Sequence, residues 1–342
     1  MANMVNVLNT ILSNASADYQ TRVPAATRDN ITDVGAAVLS SAETRNEFLS
    51  ALVNKIAMQI VHNKTFRNPL SVLKKGSFPL GRNIEEIYTN PITGTVYDAT
   101  GADLLKREIP DVKSIYHTMN RQGKYKATVT RAQLMGAFKS YGDLEKLLNS
   151  IVNAIYSGDN IDEYLLMKNL FSSAVTGGKL KRVDGLTLPE NEESAKALVK
   201  AIKTVGLGMT NPSTAFNSYH DMNSATDAKP VITWTPLENQ VLILRNDVAV
   251  NMDVEMLAKA FNVSYVDFSQ RTLLVDSFGE GADDVLAVLC DEAYVQVRDI
   301  LTDMETFHNG EGLYDNYIYH HWQSYSLSLF ANAMAFTTKE AA

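Results

Sequence analysis

The first forty residues carry one short apolar pattern followed by a longer polar stretch. Four apolar residues are spaced as on one face of a short amphipathic helix: Val5, Leu8, Ile11 and Leu12. The stretch from Tyr19 to Gly35 is mostly polar, contains Pro24 and follows neither a helical nor a strand period. Because such a stretch is stable only when something else holds it, the sequence predicts an N-terminal arm over residues 1–40.

A helical pattern follows the arm. Ser40 and Glu43 have the spacing of a capping box, in which two side chains accept hydrogen bonds from the first N–H groups of a helix. Five apolar residues then fall on one helical face: Phe48, Leu49, Leu52, Val53 and Ile56. Three further residues alternate as in a strand: Met58, Ile60 and His62. Residues 41–66 are therefore predicted to lead into a folded domain.

Residues 67–128 combine strand-like residues with many turn formers. Prolines and glycines occur throughout: Pro69, Gly76, Pro79, Gly81, Pro91, Gly94, Gly101, Pro110 and Gly123. The apolar residues are too sparse to close a core alone, and they include Ile84, Ile87, Tyr88, Val96 and Tyr97. The pattern predicts a long β-hairpin that extends away from the body of the protein.

Three helical runs occupy residues 129–180. Their apolar positions are Leu134, Phe138 and Tyr141, then Leu144, Leu147, Leu148, Ile151, Val152 and Ile155, and then Ile161, Leu165, Leu166, Leu170, Phe171 and Val175. Gly177 and Gly178 follow at the point where a left-handed residue commonly ends a helix. The third run is long enough to form the spine of a domain.

The rest of the chain alternates short helices with apolar strands. Helices are predicted over Ser194–Val205 and Asp253–Phe261, and strands over Val241–Leu244, Thr272–Val275 and Val285–Leu289. This alternation is typical of a compact mixed α/β lobe, which we assign to residues 181–312. Residues 313–342 are predicted to return to the helical domain, with an aromatic-rich strand from Leu313 to Ser326 and a closing segment from Phe330 to Phe336.

Charge and cysteine content restrict the classes of function. The chain has 342 residues, a formal net charge of −8 and a pI near 5.3. Tight DNA binding is not expected, because proteins that grip phosphates present a basic face. Cys290 is the only cysteine, so no intrachain disulfide forms, as in a reducing cytoplasm. We expect synthesis in the cytosol and no membrane partner, because the N-terminus lacks signal-peptide features and no apolar run of about eighteen residues occurs.

Candidate chemistry is sparse. Cys290 ends an apolar strand and is interpreted as a small buried hydrophobe. The alternative is a hydrolase that uses Cys290, Asp291 and a distant histidine. His320 and His321 are adjacent on a predicted strand and point to opposite faces, so they cannot chelate one ion. The sequence predicts no catalytic residue, no cofactor and no metal site.

The charge distribution within the predicted hairpin is uneven. Between Lys74 and Arg131 the basic residues are Lys74, Lys75, Arg82, Lys106, Arg107, Lys113, Arg121, Lys124, Lys126 and Arg131, and the acidic residues are Glu85, Glu86, Asp98, Asp103, Glu108 and Asp111. The lobe after Lys181 is acidic in balance. Two interpretations stay open: a charge-mixed solvated surface, or a basic loop that lies across an acidic neighbouring subunit.

Short motifs occur in a fixed order along most of the chain. They are 68–70 (NPL), 74–76 (KKG), 79–82 (PLGR), 84–88 (IEEIY), 120–123 (NRQG), 153–156 (NAIY), 162–164 (DEY), 257–262 (LAKAFN), 304–306 (MET), 312–314 (GLY) and 330–333 (FANA). Together they resemble the major capsid proteins of the phi29-like (Salas-type) short-tailed bacteriophages. No single segment is decisive, but this many in one order are hard to obtain by chance. Some members of this family carry an immunoglobulin-like domain after the capsid core. The sequence ends at Ala342, so no role of that domain is carried over.

The resemblance implies an α+β fold of the HK97 type found in tailed-phage capsids. Its parts are an N-terminal arm, an extended β-hairpin loop, a peripheral domain with a spine helix and an axial α/β domain. It also implies a structural head protein, without enzymatic activity, that self-assembles as pentamers and hexamers into an icosahedral or prolate shell around double-stranded DNA. The implied partners are a scaffolding protein and a portal, with the shell assembled in the host cytoplasm and located in the virion.

Two other functions stay open beside the phage capsid, and the sequence also suggests which residues join neighbouring subunits. A nanocompartment shell that encloses an enzyme would have the same fold, and the Cys290 hydrolase belongs to a different class of protein. Arginine is expected to contribute most to contacts between subunits, because its planar group can meet a carboxylate with two hydrogen bonds. The predicted inter-subunit residues are Arg82, Glu85, Glu86, Arg107 and Arg121.

Overall fold

The computed structural model of the chain describes residues 4–59, 66–79, 81, 83–97, 99–101, 105–137, 141–219, 230–252 and 272–340. Contacts between Cα atoms divide the chain into two compact units. The first unit comprises Met1–Asn68, Arg121–Glu163 and Asp299–Gln323, and the second comprises Pro69–Asn120, Tyr164–Arg298 and Ser324–Ala342. Each unit is therefore assembled from segments that are distant in the sequence.

The N-terminal part of the first unit is helical. Its helices are α1 (Met4–Asn14), α2 (Ala17–Arg22), α3 (Ile31–Leu39) and α4 (Ala42–Gln59). The short helix predicted around Ile11 is confirmed, whereas the expectation of no regular structure between Tyr19 and Gly35 is wrong. Tyr19, Val34 and Val38 are buried in the core of this unit. Tertiary packing stabilises α2 and α3, which are too short to be stable from local propensity alone.

With Ser40 as the cap, helix α4 would begin at residue 41, but it begins at Ala42. The hydroxyl of Ser41, and not that of Ser40, accepts a hydrogen bond from the Thr44 N–H at 3.2 Å. The prediction of a strand that includes Met58 is wrong, because Met58 lies within α4. Ile60 and His62 lie outside the described residues.

A three-stranded sheet forms the rest of the first unit's framework. Its order is β3 (Arg121–Thr130), β9 (Tyr314–Leu327) and β8 (Val295–Asn309). Strand β9 confirms the predicted strand, and β3 pairs with it antiparallel from Arg121↔Gln323 to Thr130↔Tyr314. Strand β8 was not predicted, because acidic residues interrupt its apolar pattern. Tyr319 of β9 packs against Tyr156 with ring centroids 4.9 Å apart, which ties the sheet to a helix.

A helix of 36 residues, α6 (Tyr141–Thr176), follows the short helix α5 (Arg131–Ala137). The second and third predicted helical runs are not separate helices. Both lie within α6, which is about 54 Å long at 1.5 Å per residue. The predicted stop is confirmed: Gly178 has φ +68°, and the Lys179 N–H bonds the Ala174 carbonyl at 2.8 Å. No described helix is both long enough and apolar enough to cross a membrane.

The second unit contains a five-stranded sheet and the hairpin. The sheet order is β4 (Lys181–Val183), β10 (Ala333–Thr337), β7 (Val285–Asp291), β5 (Gln240–Arg245) and β6 (Thr272–Val275). Helices α7 (Glu192–Met209) and α8 (Asn246–Asn251) also belong to this unit. The three predicted lobe strands and the helix over Ser194–Val205 are confirmed. The helix predicted over Asp253–Phe261 lies outside the described residues.

The predicted hairpin is confirmed as two antiparallel strands, β1 (Ile84–Thr89) and β2 (Val112–His117). Their register runs from Ile84↔His117 to Thr89↔Val112. The paired part is therefore shorter than the predicted segment 67–128, and residues from Arg121 onward belong to β3 in the first unit. The division of the chain into six functional segments stays a prediction.

Candidate subunit interface

One face of the β1–β2 hairpin is exposed, and half of its residues are apolar or aromatic. Alternate residues of the two strands form this face, here called the outer face: Glu85, Ile87, Thr89, Val112, Ser114 and Tyr116. The side chains of Ile87, Val112 and Tyr116 are 59%, 54% and 60% exposed. A two-stranded hairpin with such a face is only marginally stable in water and needs a covering surface.

The opposite face packs on the second unit's own lobe. Tyr88 stacks on Phe330 with ring centroids 5.5 Å apart, and its hydroxyl donates to the Ile232 carbonyl at 2.5 Å. Asn90 continues this attachment, because its amide donates to the Pro230 carbonyl and its carbonyl oxygen accepts from the Ile232 N–H. The end of the ladder next to the connecting loop is thus fixed on the lobe, and the outer face stays exposed.

A polar network lies toward the opposite end of the ladder. Glu86 accepts from the buried His117 ring through Nε2 at 2.9 Å and from the Ser328 hydroxyl at 2.6 Å. The other ring nitrogen of His117 lies 2.7 Å from the Ser326 hydroxyl. Glu86, which we predicted to contact a neighbouring subunit, therefore has both carboxylate oxygens engaged within the chain.

The two other candidates on the hairpin are exposed. Glu85 belongs to the outer face, and one of its oxygens accepts from the Tyr116 hydroxyl at 2.9 Å. Arg107, between the two strands, is exposed and makes no hydrogen bond or ion pair with the residues that the structure describes. Leu105 and Ile109 on either side of it are 92% and 78% exposed. The loop that joins the two strands, here called the hairpin tip, thus presents a cation with an apolar residue two positions away on each side.

The remaining arginines are placed differently. Arg82 lies outside the described residues. Arg121 is in the first unit, where its guanidinium donates to Asp159 at 3.1 Å, to the Tyr125 hydroxyl at 2.5 Å and to Gln323. The side chain of Arg121 is only 10% exposed. These contacts indicate a role within the subunit, and its predicted contact with a neighbour stays a prediction.

Local ion pairs neutralise part of the hairpin's positive charge. Lys113 lies 2.9 Å from Asp111, and Lys106 lies 3.5 Å from Glu108. An exposed pair such as Lys106–Glu108 contributes little, about 0.2–1 kcal/mol at most. Both acidic partners are already among the six counted from the sequence, so the ion pairs leave the net excess of basic residues unchanged.

Sequence reasoning missed a buried polar cluster in the first unit. His321 Nδ1 lies 2.7 Å from Asp159, and His321 Nε2 lies 3.0 Å from Asp299. The Gln323 amide donates to Asp299 at 2.7 Å and to Glu163 at 2.9 Å. Two signals in the sequence could have revealed the cluster. Asp159 and Glu163 are four residues apart and therefore lie on one face of a helix. His321 and Gln323 alternate along the Tyr- and His-rich strand and therefore lie on one face of it.

This cluster bears on both protonation and metal binding. Burial disfavours the charged His321 ring, but hydrogen bonds and attraction from Asp159 and Asp299 outweigh it and raise the pKa of His321. Ligand atoms of Glu163, Asp299 and His321 lie within 4.8 Å of one another, so they could hold a cation. The Gln323 amide and the His321 ring already donate to these carboxylates, which gives the cluster partners without a metal.

The other candidate chemistry is confined to the core. Cys290 is completely buried in the five-stranded sheet, and burial raises the pKa of its thiol. A thiol in such surroundings is not activated as a nucleophile. His321 is buried while His320 is only half-buried, as expected for adjacent residues on the two faces of a strand.

The fold is similar to that of chains in solved phage structures. The chain aligns with the capsid structure of Staphylococcus phage Andhra at a TM-score of 0.65 and 15% identity, over 82% of this chain and 86% of that chain. A chain from the structure of the head fiber and inner core protein gp22 of native bacteriophage P68 aligns at 0.61 and 16% identity, over 81% and 88%. With the mixed sheets, the hairpin and the long helix, these alignments show the HK97-type fold.

The relatives in sequence are more specific. The model of the Phi29-like phage major capsid protein family matches residues 8–337, and the chain belongs to this family. The major capsid proteins of Bacillus phages B103 and PZA are each 37% identical to it, over 97% of this chain and 72% of the relative. That of Streptococcus phage Cp-1 is 29% identical over 98% of this chain and 95% of the relative. The chain is a structural subunit of a phage capsid and a component of the virion.

Proposed function

We propose that the chain builds the head of a short-tailed phage as an icosahedral or prolate shell around double-stranded DNA. Pentamers and hexamers of the subunit would form the shell, with a scaffolding protein and a portal as partners in the host cytoplasm. Family membership over nearly the whole chain supports this proposal. The deeply buried Cys290 and its raised pKa give no support to the hydrolase alternative, and the subunit is proposed to perform no catalysis.

The outer face of the hairpin carries this proposal most directly. Its apolar side chains are exposed although the opposite face is fixed on the lobe, so the surface that covers them comes from a neighbouring subunit. Obligate interfaces of this kind commonly bury more than about 2,000 Å². The side chains of Ile87, Val112 and Tyr116 are 54–60% exposed, so covering them contributes roughly 1–2 kcal/mol each, which exceeds the contribution of most exposed ion pairs. Apolar contacts would therefore provide most of the binding free energy, and charged groups would fix the position of one subunit against the next.

Glu85 and Arg107 are the proposed charged contacts. Both are exposed, Arg107 at the tip and Glu85 on the outer face. Glu86 and Arg121 are proposed to act mainly by holding the subunit's own fold. Arg82 is retained as a contact proposed from the sequence alone.

The packaged DNA is proposed to be confined and not gripped. A subunit with a net charge of −8 supplies few counter-charges to phosphates, so specific DNA contacts would contribute little. DNA entry would then need a motor at the portal.

The test is assembly of the purified chain, expressed with and without the scaffolding protein of the same phage. Sedimentation and negative-stain electron microscopy should show closed shells in at least one preparation. Subunits that stay monomeric in both preparations, while giving the circular dichroism of an α+β fold, would contradict the proposal.

A further inference from the structure

A groove of about 420 Å³ on the second unit has the chemistry of a cation-binding site. Its lining combines aromatic rings and carboxylates: Glu86, Tyr88, Thr233, Trp234, Thr235, Pro236, Asn239, Asp291, Ala293, Phe330, Ala331 and Asn332. No lysine, arginine or histidine is among these lining residues. Carboxylates and aromatic faces together attract guanidinium and ammonium groups.

The aromatic side chains that line the groove differ in exposure. Trp234 is 49% exposed, which is a large exposed area for the largest apolar side chain. Phe330, on the same lining, is buried and stacks on Tyr88 and Tyr219 with ring centroids at 5.5 and 5.0 Å. Exposed tryptophan beside fixed aromatic side chains is typical of residues that dominate binding energy at protein interfaces.

Hydrogen bonds fix the polar floor in advance. The buried Asn332 donates to the Thr235 hydroxyl at 3.1 Å and accepts from the Thr233 hydroxyl at 2.6 Å. Thr235 in turn donates to Asp291 at 2.7 Å, and the Ala293 N–H donates to the other oxygen of Asp291 at 2.7 Å. A carboxylate offers about four acceptor positions, so Asp291 retains capacity for a guanidinium. A floor that is ordered before binding lowers the entropic cost of association.

The same chain supplies a matching cation. Arg107 is exposed, makes no hydrogen bond or ion pair with the described residues, and has Leu105 and Ile109 beside it. A planar guanidinium can stack on an aromatic ring and meet a carboxylate with paired hydrogen bonds. We propose that this groove, which we name the Trp234 groove, receives Arg107 from the hairpin tip of a second copy of the chain. This inference rests on the proposed self-assembly and names one contact within it.

The first test follows Trp234 by fluorescence. The chain has two tryptophans, and Trp322→Phe leaves Trp234 as the only reporter. Acrylamide should quench Trp234 readily in the unassembled subunit and several-fold less in the shell. Shells of the same protein that also carries Arg107→Ala should regain most of that quenching. Equal quenching before and after assembly overturns the inference, and so does a Trp234 already shielded in the subunit, because the chain itself would then cover the groove.

The second test is a double-mutant cycle on the critical concentration for assembly. Trp234→Ala and Arg107→Ala should each raise this concentration about tenfold, and the double variant should raise it little further. Lys106→Ala is the matched control, because Lys106 is a neighbouring cation with Glu108 beside it, and it should have little effect. If Arg107→Ala forms no shells, Arg107→Lys replaces it in the cycle. Full additivity overturns the inference, whereas a wild-type chain that forms no shells overturns the proposed function itself.

Discussion

His321 Nδ1 and Asp159 Oδ2 lie 2.7 Å apart in the first unit, where they join the central strand β9 to the long helix α6. The other ring nitrogen of His321 lies 3.0 Å from Asp299 on strand β8. Both partners are carboxylates, which accept hydrogen bonds when ionised, so the protonated ring can donate to both, which matches the raised pKa of His321. The imidazole thus links three elements of the chain in a largely buried position.

The pKa of His321 gives a pH-dependent stability. Because its pKa is raised above the ordinary value of 6.5, its stabilising contribution is complete below that value and is lost as pH rises through the folded-state pKa. Hydrogen bonds to charged groups contribute about 1.5–3 kcal/mol, so His321→Gln should cost much more stability at pH 6 than at pH 9. Urea unfolding of the unassembled subunit measures this difference. His320→Gln is the matched control, and an equal loss at both pH values for His321→Gln would contradict the charged imidazole.

The hairpin should be the least protected strand pair of the unassembled subunit. Its outer face is exposed, with Ile87, Val112 and Tyr116 each more than half exposed, and only its opposite face packs on the lobe. Hydrogen exchange should be fast over residues 84–117 in the subunit and slow in the shell, while residues 161–175 of α6 stay protected in both. Equal protection of the hairpin and the helix in the subunit would show that the hairpin needs no neighbour.

Arg107 and Arg121 should respond differently to charge reversal. Arg107→Glu should leave the circular dichroism and unfolding midpoint of the subunit unchanged and reduce assembly, because Arg107 is exposed and without a described partner. Arg121→Glu should destabilise the subunit by about 3–5 kcal/mol, because it places a carboxylate beside the largely buried Asp159. Thermal unfolding and shell yield together separate the two effects. Assembly that proceeds normally with Arg107→Glu at low and high salt would remove Arg107 from the proposed contacts.

The thiol of Cys290 should be unreactive in the folded protein. It is completely buried, and burial raises its pKa. A colorimetric thiol reagent should therefore react only after denaturant is added, and Cys290→Ala should assemble at near wild-type yield. Rapid reaction of the native subunit would reopen the question of chemistry at this residue.

The parts of the fold that were predictable have local causes. Strands β5, β6 and β7 are continuous apolar runs such as buried sheet strands require, and Gly178 ends α6 because a left-handed residue is needed there. Helices α2 and α3 were missed because their stability comes from buried contacts of residues such as Tyr19 and Val38, which no local period reveals. Strand β8 was missed because residues such as Asp303 and Glu305 lower its β-propensity while its pairing with β9 compensates.

The candidate site was only partly predictable, for a related reason. The sequence correctly indicated a hairpin, and the charged residues along it suggested contacts with a neighbour. The sequence could not show that Glu86 bonds His117 and Ser328, or that Arg121 reaches Asp159, because these pairs are brought together only by the folded chain. The five predicted contact residues therefore differ in the folded chain: Glu86 and Arg121 bond within the chain, whereas Glu85 and Arg107 are exposed.

Electron cryomicroscopy of the shells formed by the expressed chain tests the hairpin contact most directly. The outer face of each hairpin, with Ile87, Val112 and Tyr116, should be covered by an adjacent subunit. A closed shell in which these side chains remain exposed to solvent, or in which the hairpin's outer face packs on its own subunit, would contradict this prediction.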